Sequence, residues 1–334
     1  MLPLLDWIKC GAIVPAVLLL GCVAPVNDHD DESVVSGGVS SVLSKETHVF
    51  KTIGELEIHA DVYRRKDQTI RPAVLWIHGG ALIGGHREAM NDELRDRLLD
   101  AGYVVCSIDY RLAPETKLPE IYKDIQDAYA WLRKDGPELF RIDPDRVAVM
   151  GGSAGGFLTL SAGFLFEPRP KVLVSFWGYG DVAGAWYSRP DPFYSKRPKV
   201  SVEEAYGVVG QEALSHSKGK PDRGNFYLYC RQNGLWPKEV TGYDPDRQPC
   251  AFDDFCPVRN VSKSYPPTLL IHGDKDTDVP FEQSVLMAKE LERVGIEHEL
   301  MRLRDIGHGL GKVDPEKVRE VHERVLEFVQ PYLK

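Results

Sequence analysis

Four short stretches carry residues whose types and spacing could do acyl-transfer chemistry. Gly151-Gly152-Ser153-Ala154-Gly155 follows an apolar run and precedes a small-residue helical segment. A serine at the tip of a tight strand-to-helix turn needs small neighbours, and the turn pushes its hydroxyl clear of the sheet. His78-Gly79-Gly80-Ala81 follows a second apolar run that ends at Ile77. Acyl transfer builds negative charge on a carbonyl oxygen, so donors must be fixed there beforehand. The backbone N–H groups of Gly79 and Gly80, with that of Ala154 after the serine, are the expected oxyanion hole, and His78 is read as structural.

The third stretch, His272 to Pro280, ends a predicted strand in a polar loop with three aspartates. An acid there would fix the tautomer of a catalytic imidazole. Asp276 is the expected acid, Asp274 its rival, and Asp278 the expected cap of the helix starting near Pro280. The fourth is Asp305-Ile306-Gly307-His308-Gly309, whose glycines suit a loop that lowers an imidazole onto the serine. Ser153, Asp276 and His308 then follow the chain order Ser, Asp, His. No histidine pair has metalloenzyme spacing, and no phosphate-binding or dinucleotide fingerprint occurs, so neither a metal nor a cofactor is expected.

The elements that must position these residues alternate. Strand-like runs at 56–62, 73–77, 103–109, 146–150, 171–176, 268–271 and 297–303 are separated by helical patterns at 88–99, 120–134, 154–164, 281–294 and a final helix through Val318, Val321, Val325 and Phe328. That rhythm predicts an α/β fold with a mainly parallel sheet and helices on both faces. Residues 183–262 break it, being rich in Tyr, Trp, Pro and Arg without a sheet period. An insertion of that length reads as a cap over the carboxyl edge of the sheet. Trp186, Tyr187, Tyr194, Phe226 and Trp236 would either line a pocket beneath it or form its own core.

The 334 residues suit one large catalytic domain, and a net charge of −9 disfavours a nucleic-acid partner. Residues 1–22 read as a leader: Lys9 before the short apolar run from Ile13 to Leu20, then Leu19-Leu20-Gly21-Cys22. This last sequence resembles the bacterial lipoprotein box, in which case lipid on Cys22 would hold an exported protein at the cell envelope. The alternative is an ordinary signal peptide leading to periplasm or medium. Residues 23–44, with Asp28, Asp30, Asp31 and Glu32, read as a solvated tether to a domain spanning 45–334. Cys106, in an apolar run, is expected to be a core thiol. Of Cys230, Cys250 and Cys256, export would allow two to pair, without the sequence selecting which.

Together the His78–Ala81 loop, Asp109-Tyr-Arg-Leu-Ala-Pro-Glu115 and Gly151–Gly155 resemble the α/β-hydrolase superfamily, and within it the hormone-sensitive-lipase-like carboxylesterases. The resemblance covers residues 45–182 and 264–332. The acid loop is closer to acetyl- and feruloyl-esterase-like enzymes and to prolyl-oligopeptidase-type hydrolases, and Ala81 stands where the group often has a third glycine. The resemblance implies a serine esterase acting on small or carbohydrate-linked esters. A prolyl-oligopeptidase-type peptidase and a non-catalytic binding protein on this fold are the rival readings. It also implies that the 109–115 loop braces the oxyanion strand, with Arg111 in an ion pair.

Overall fold

The structure, a computed structural model, describes residues 43–334. The leader, Cys22 and nearly all of the tether lie outside the described residues. Eight strands form one sheet: β1 (Leu43–Ile53), β2 (Leu56–Arg65), β3 (Arg71–Ile77), β4 (Val104–Ile108), β5 (Ile142–Gly152), β6 (Val172–Phe176), β7 (Thr268–Gly273) and β8 (His298–Leu303). Their order is β1-β2-β4-β3-β5-β6-β7-β8. The two pairings that involve β2 are antiparallel and all others parallel. β1 takes up Leu43 and Ser44, so the chain enters the sheet two residues before the end of the stretch read as tether.

The parallel strands are apolar on both faces because both faces are covered. In β3, Ala73, Leu75 and Ile77 join the core beneath α2 (Leu118–Phe140), α3 (Ala154–Leu165) and α8 (Glu282–Val294), while Val74 and Trp76 join the core beneath α1 (Asp92–Asp100) and α9 (Pro315–Leu333). Each fully buried aliphatic side chain in these layers is worth about 1.5–3 kcal/mol. The helices begin and end where local chemistry dictates. The Asn91 side chain accepts from Leu94 N–H to open α1, Asp314 does the same for Glu316 in α9, and Gly295 in a left-handed conformation closes α8. Cys106 is buried in β4, and Cys230, Cys250 and Cys256 are separate free thiols.

Between β6 and β7 the chain forms short helices, α4 (Ala185–Ser188), α5 (Val202–Tyr206), α6 (Gly224–Asn233) and α7 (Trp236–Thr241), with loops and short 3₁₀ segments. Its aromatic residues pack on one another. Tyr187 stacks between Trp186 and Trp236, with centroids 3.7 and 4.0 Å away, and Phe226 and Trp236 are fully buried. These rings are the insert's core, not a pocket lining.

A buried ion pair ties the insert to the loop after β4. Arg223 donates to both oxygens of Glu115, and its Nη1 also bonds the carbonyls of Ala113 (2.9 Å) and Ile83 (3.2 Å). The side chains are 5% and 0% exposed. Removing one charge from such a pair leaves the other buried and uncompensated. Glu115→Gln is therefore expected to lower the unfolding free energy by about 3–5 kcal/mol, read from urea midpoints. Arg111 is likewise bidentate to Asp124, at 2.8 Å on each oxygen.

Candidate active site

Ser153 sits between β5 and α3 with φ 57° and ψ −120°, a backbone conformation that costs about 1–3 kcal/mol and persists only where packing imposes it. The packing is visible at Gly155, where an added Cβ would lie 2.0 Å from the Ile77 carbonyl oxygen. No side chain fits, so the elbow closes directly onto the end of β3. At Gly79 the same test brings a Cβ to 2.7 Å from Gly152 O and 3.2 Å from the Ser153 Cβ. The backbone after β3 thus lies against the Ser153 turn.

That loop continues through Gly80, Ala81 and Leu82, all at positive φ. Ala81 tolerates its conformation because the insert holds it. Trp236 Nε1 donates to the Ala81 carbonyl (2.9 Å), and Ala113 N–H donates to that of Leu82 (2.8 Å). His78 is structural. It is buried, it stacks on Tyr110 at 4.3 Å, and its Nδ1–H donates to the Gly79 carbonyl. Burial pushes its imidazole down to about 4, which keeps it neutral beside the glycine loop that follows β3.

The three side chains expected to converge do so. His308 Nε2 lies 3.0 Å from Ser153 Oγ, and its Nδ1 lies 2.7 Å from Asp276 Oδ2. Burial alone would raise the Asp276 carboxyl, but its bonds to His272 and His308 outweigh that and hold it well below the usual carboxylate range. An ionised carboxylate only accepts, so Nδ1 carries the proton and the Nε2 lone pair faces the serine hydroxyl. For His308 burial works against the cation, yet the Asp276 bond and the charges of Asp278 and Asp276 prevail and raise its pKa.

The remaining aspartates sort themselves by contact. Asp274 pairs with Arg302 and accepts from Asp305 N–H, away from the imidazole. Asp278 does not cap α8, whose N-cap is Phe281. Its Oδ1 instead accepts from the hydroxyls of Tyr194 and Tyr227 and from Arg231 of the insert. His272 supports Asp276 from behind. Its Nε2–H donates to the Val279 carbonyl (3.0 Å) and lies 3.3 Å from Asp276 Oδ2, while Nδ1 meets Ser284 Oγ at 2.7 Å. The sequence carried no signal for Asp278, Tyr227 or Arg231 in these places, since their meeting depends on the fold of the aperiodic insert.

A cavity of about 600 Å³ opens over Ser153 and His308. Gly80, Ala81, Ile83, Gly84 and Gly85 form one wall, and the insert supplies the other with Ser217, Lys220, Pro221, Asp222, Arg223, Gly224 and Tyr227 beside Asp278. Among the described residues no group of His, Cys, Asp and Glu side chains could hold a metal ion.

Comparison with known proteins adds three likenesses. Esterase LipC of Mycobacterium tuberculosis is 30% identical over 261 residues, 76% of this chain and 57% of LipC. The non-reducing polyketide synthase adrD of Penicillium rubens is 29% identical over 312 residues, 79% of this chain but 12% of that protein. The chain therefore spans little more than half, or far less, of the length of these curated relatives. The crystal structure of EstE1, a thermostable carboxylesterase from a metagenomic library, superposes with a TM-score of 0.65 at 23% identity, over 88% of this chain and 90% of that one. The sheet order and the crossing helices are thus those of the α/β-hydrolase fold. The BD-FAE family matches residues 60–291, from β2 through most of α8 and including the serine elbow and the acid loop, and the chain belongs to that family.

Proposed function

We propose that the protein is a serine hydrolase that cleaves carboxylic esters through an acyl-enzyme on Ser153. The reading rests above all on one observation: Ser153, His308 and Asp276 form a continuous hydrogen-bonded chain of 3.0 and 2.7 Å. Nε2 of His308 takes the Ser153 proton as Oγ bonds to the ester carbonyl carbon, and the carbonyl π pair moves onto oxygen. The N–H groups of Gly79, Gly80 and Ala154 receive that oxyanion: Gly79 lies against the serine turn, Gly80 lines the cavity over Ser153, Ala154 follows the serine, and α3 adds its positive end. Collapse breaks the bond to the alcohol oxygen, which leaves with the proton from Nε2. Water then repeats the sequence on the acyl-enzyme.

The substrates are small or carbohydrate-linked esters. Supporting this, Ser217, Lys220, Asp222 and Tyr227 of the insert and Asp278 of the acid loop put polar groups among the residues that line the cavity. A fluorophosphonate probe is expected to label the protein once, on the peptide containing Ser153. No adduct, or an adduct elsewhere, would refute the reading. A panel of acetylated sugars, feruloyl esters and triglycerides then separates the substrate classes, with triglycerides expected to be poorest.

A further inference from the structure

Among the groups around the base, Asp278 is divided in an unusual way. Its Oδ1 takes three donors, the hydroxyls of Tyr194 (2.8 Å) and Tyr227 and Nη1 of Arg231 (2.9 Å). Among the described residues no hydrogen bond ends on Oδ2. That oxygen lies 3.5 Å from His308 Nε2, on the imidazole edge that also faces Ser153 Oγ. The carboxylate is held stiffly. Arg231, 1% exposed, also pairs with Asp191 (2.6 Å), and its guanidinium is ringed by Trp186, Tyr187, Tyr194 and Tyr227 at 4.7–5.7 Å. One cation thus answers two carboxylates, leaving net negative charge beside the base.

We propose that Asp278 is a positioning residue for His308, its free oxygen holding the imidazolium on the edge that faces the nucleophile. The inference rests on the acyl-transfer reading of Ser153 and His308. When Oγ–H breaks and the proton arrives on Nε2, the new N–H stands between Ser153 Oγ and Asp278 Oδ2, while Nδ1–H remains on Asp276. The imidazolium is then flanked by a carboxylate at each nitrogen. The insert supplies the second one's anchor, so its fold is coupled to the strength of the base.

The groups that bear on this imidazole come from four directions. Asp276 and Asp278 belong to the loop after β7, and Ser153 to the elbow. Arg231 of α6 opposes the cation through Asp278, and Trp177 after β6 presents an uncharged ring at 6.2 Å. Lys220, Asp222, Arg223 and Tyr227 share the cavity, and Asp305 and Lys312 line a groove along the base's own loop.

The test compares kcat/KM against pH for the wild type and Asp278→Asn on a short-chain nitrophenyl ester. Asparagine keeps an acceptor for Arg231 and the tyrosines and removes the charge. Because the base works neutral, losing a charge that favours its cation should move the acid limb about one unit lower. A limb that stays in place, or moves up, overturns the proposal. NMR titration of the His308 imidazole in Ser153→Ala protein, with and without Asp278→Asn, should report the same downward shift without any turnover. Retained turnover in Ser153→Ala would defeat the acyl-enzyme reading, yet the titration would still decide the role of Asp278. Should the asparagine variant not fold, a wild-type His308 midpoint below the ordinary imidazole value overturns the proposal by itself.

Discussion

Replacing Ser153 with alanine is expected to lower turnover of a short-chain nitrophenyl ester on the order of 10³-fold or more, with the fold intact. Both halves of that expectation come from the contacts. Among the described residues the hydroxyl bonds only to His308 Nε2, at 3.0 Å, so its removal opens no core cavity and strands no buried partner. The backbone that makes the elbow does not depend on it. Ser153 N–H donates to the Phe176 carbonyl (2.9 Å), and Phe157 N–H to the Ser153 carbonyl (2.9 Å), and alanine keeps both. What is lost is the atom that, in the proposed mechanism, bonds to the carbonyl carbon. Oxyanion donors and the imidazole would remain and support a residual rate by binding and orientation alone. Matched urea midpoints alongside collapsed kcat/KM are the expected pair of measurements. Undiminished activity would remove Ser153 from the mechanism.

The parts of this molecule that were legible in its sequence are those where geometry restricts residue type. Gly155 must be glycine because β3 presses on it, and that restriction is written as G-x-S-x-G. Parallel strands covered on both faces become unbroken apolar runs, so β3 to β7 were readable. β1 was not. Its half-buried face carries Ser44, Glu46, His48 and Phe50, while Leu43 and Val49 point outward, which inverts the usual period-two signal. The insert was legible only as an interruption. Its helices are short, and its interior is built from stacked rings and the Arg231 cluster, which follow no helical or sheet period. Asp278 illustrates the consequence. Its position beside Pro280 matches a helix cap by local rules, and only the docking of α6 turns it toward His308. Ala81 departs visibly from glycine in the sequence, but the Trp236 indole that holds its carbonyl comes from 155 residues away.

Asp276→Asn is expected to cost about 10³–10⁴ in kcat/KM, although the side chain keeps its shape. Asp276 Oδ1 accepts from the N–H groups of Asp278 (2.8 Å) and Val279 (2.9 Å), so an asparagine would keep its carbonyl there and turn its NH₂ to where Oδ2 stood. That NH₂ would face His308 Nδ1 and the Nε2–H of His272, in the places now at 2.7 and 3.3 Å. Two donors would oppose each other at His272. At His308 the amide would favour the tautomer with the proton on Nε2, which cannot accept from Ser153. The same substitution alters acid stability. Because the folded Asp276 carboxyl lies below its unfolded value, its contribution is present above the ordinary carboxylate range and fades as pH falls toward the folded value. Asp276→Asn should abolish that part of the acid dependence while lowering stability at neutral pH, read from urea midpoints across the acid range. Asp274→Asn is the control, since Asp274 spends its oxygens on Arg302 and Asp305 N–H. Equal losses from the two substitutions would mean that the loop, and not the carboxylate against His308, sets the rate.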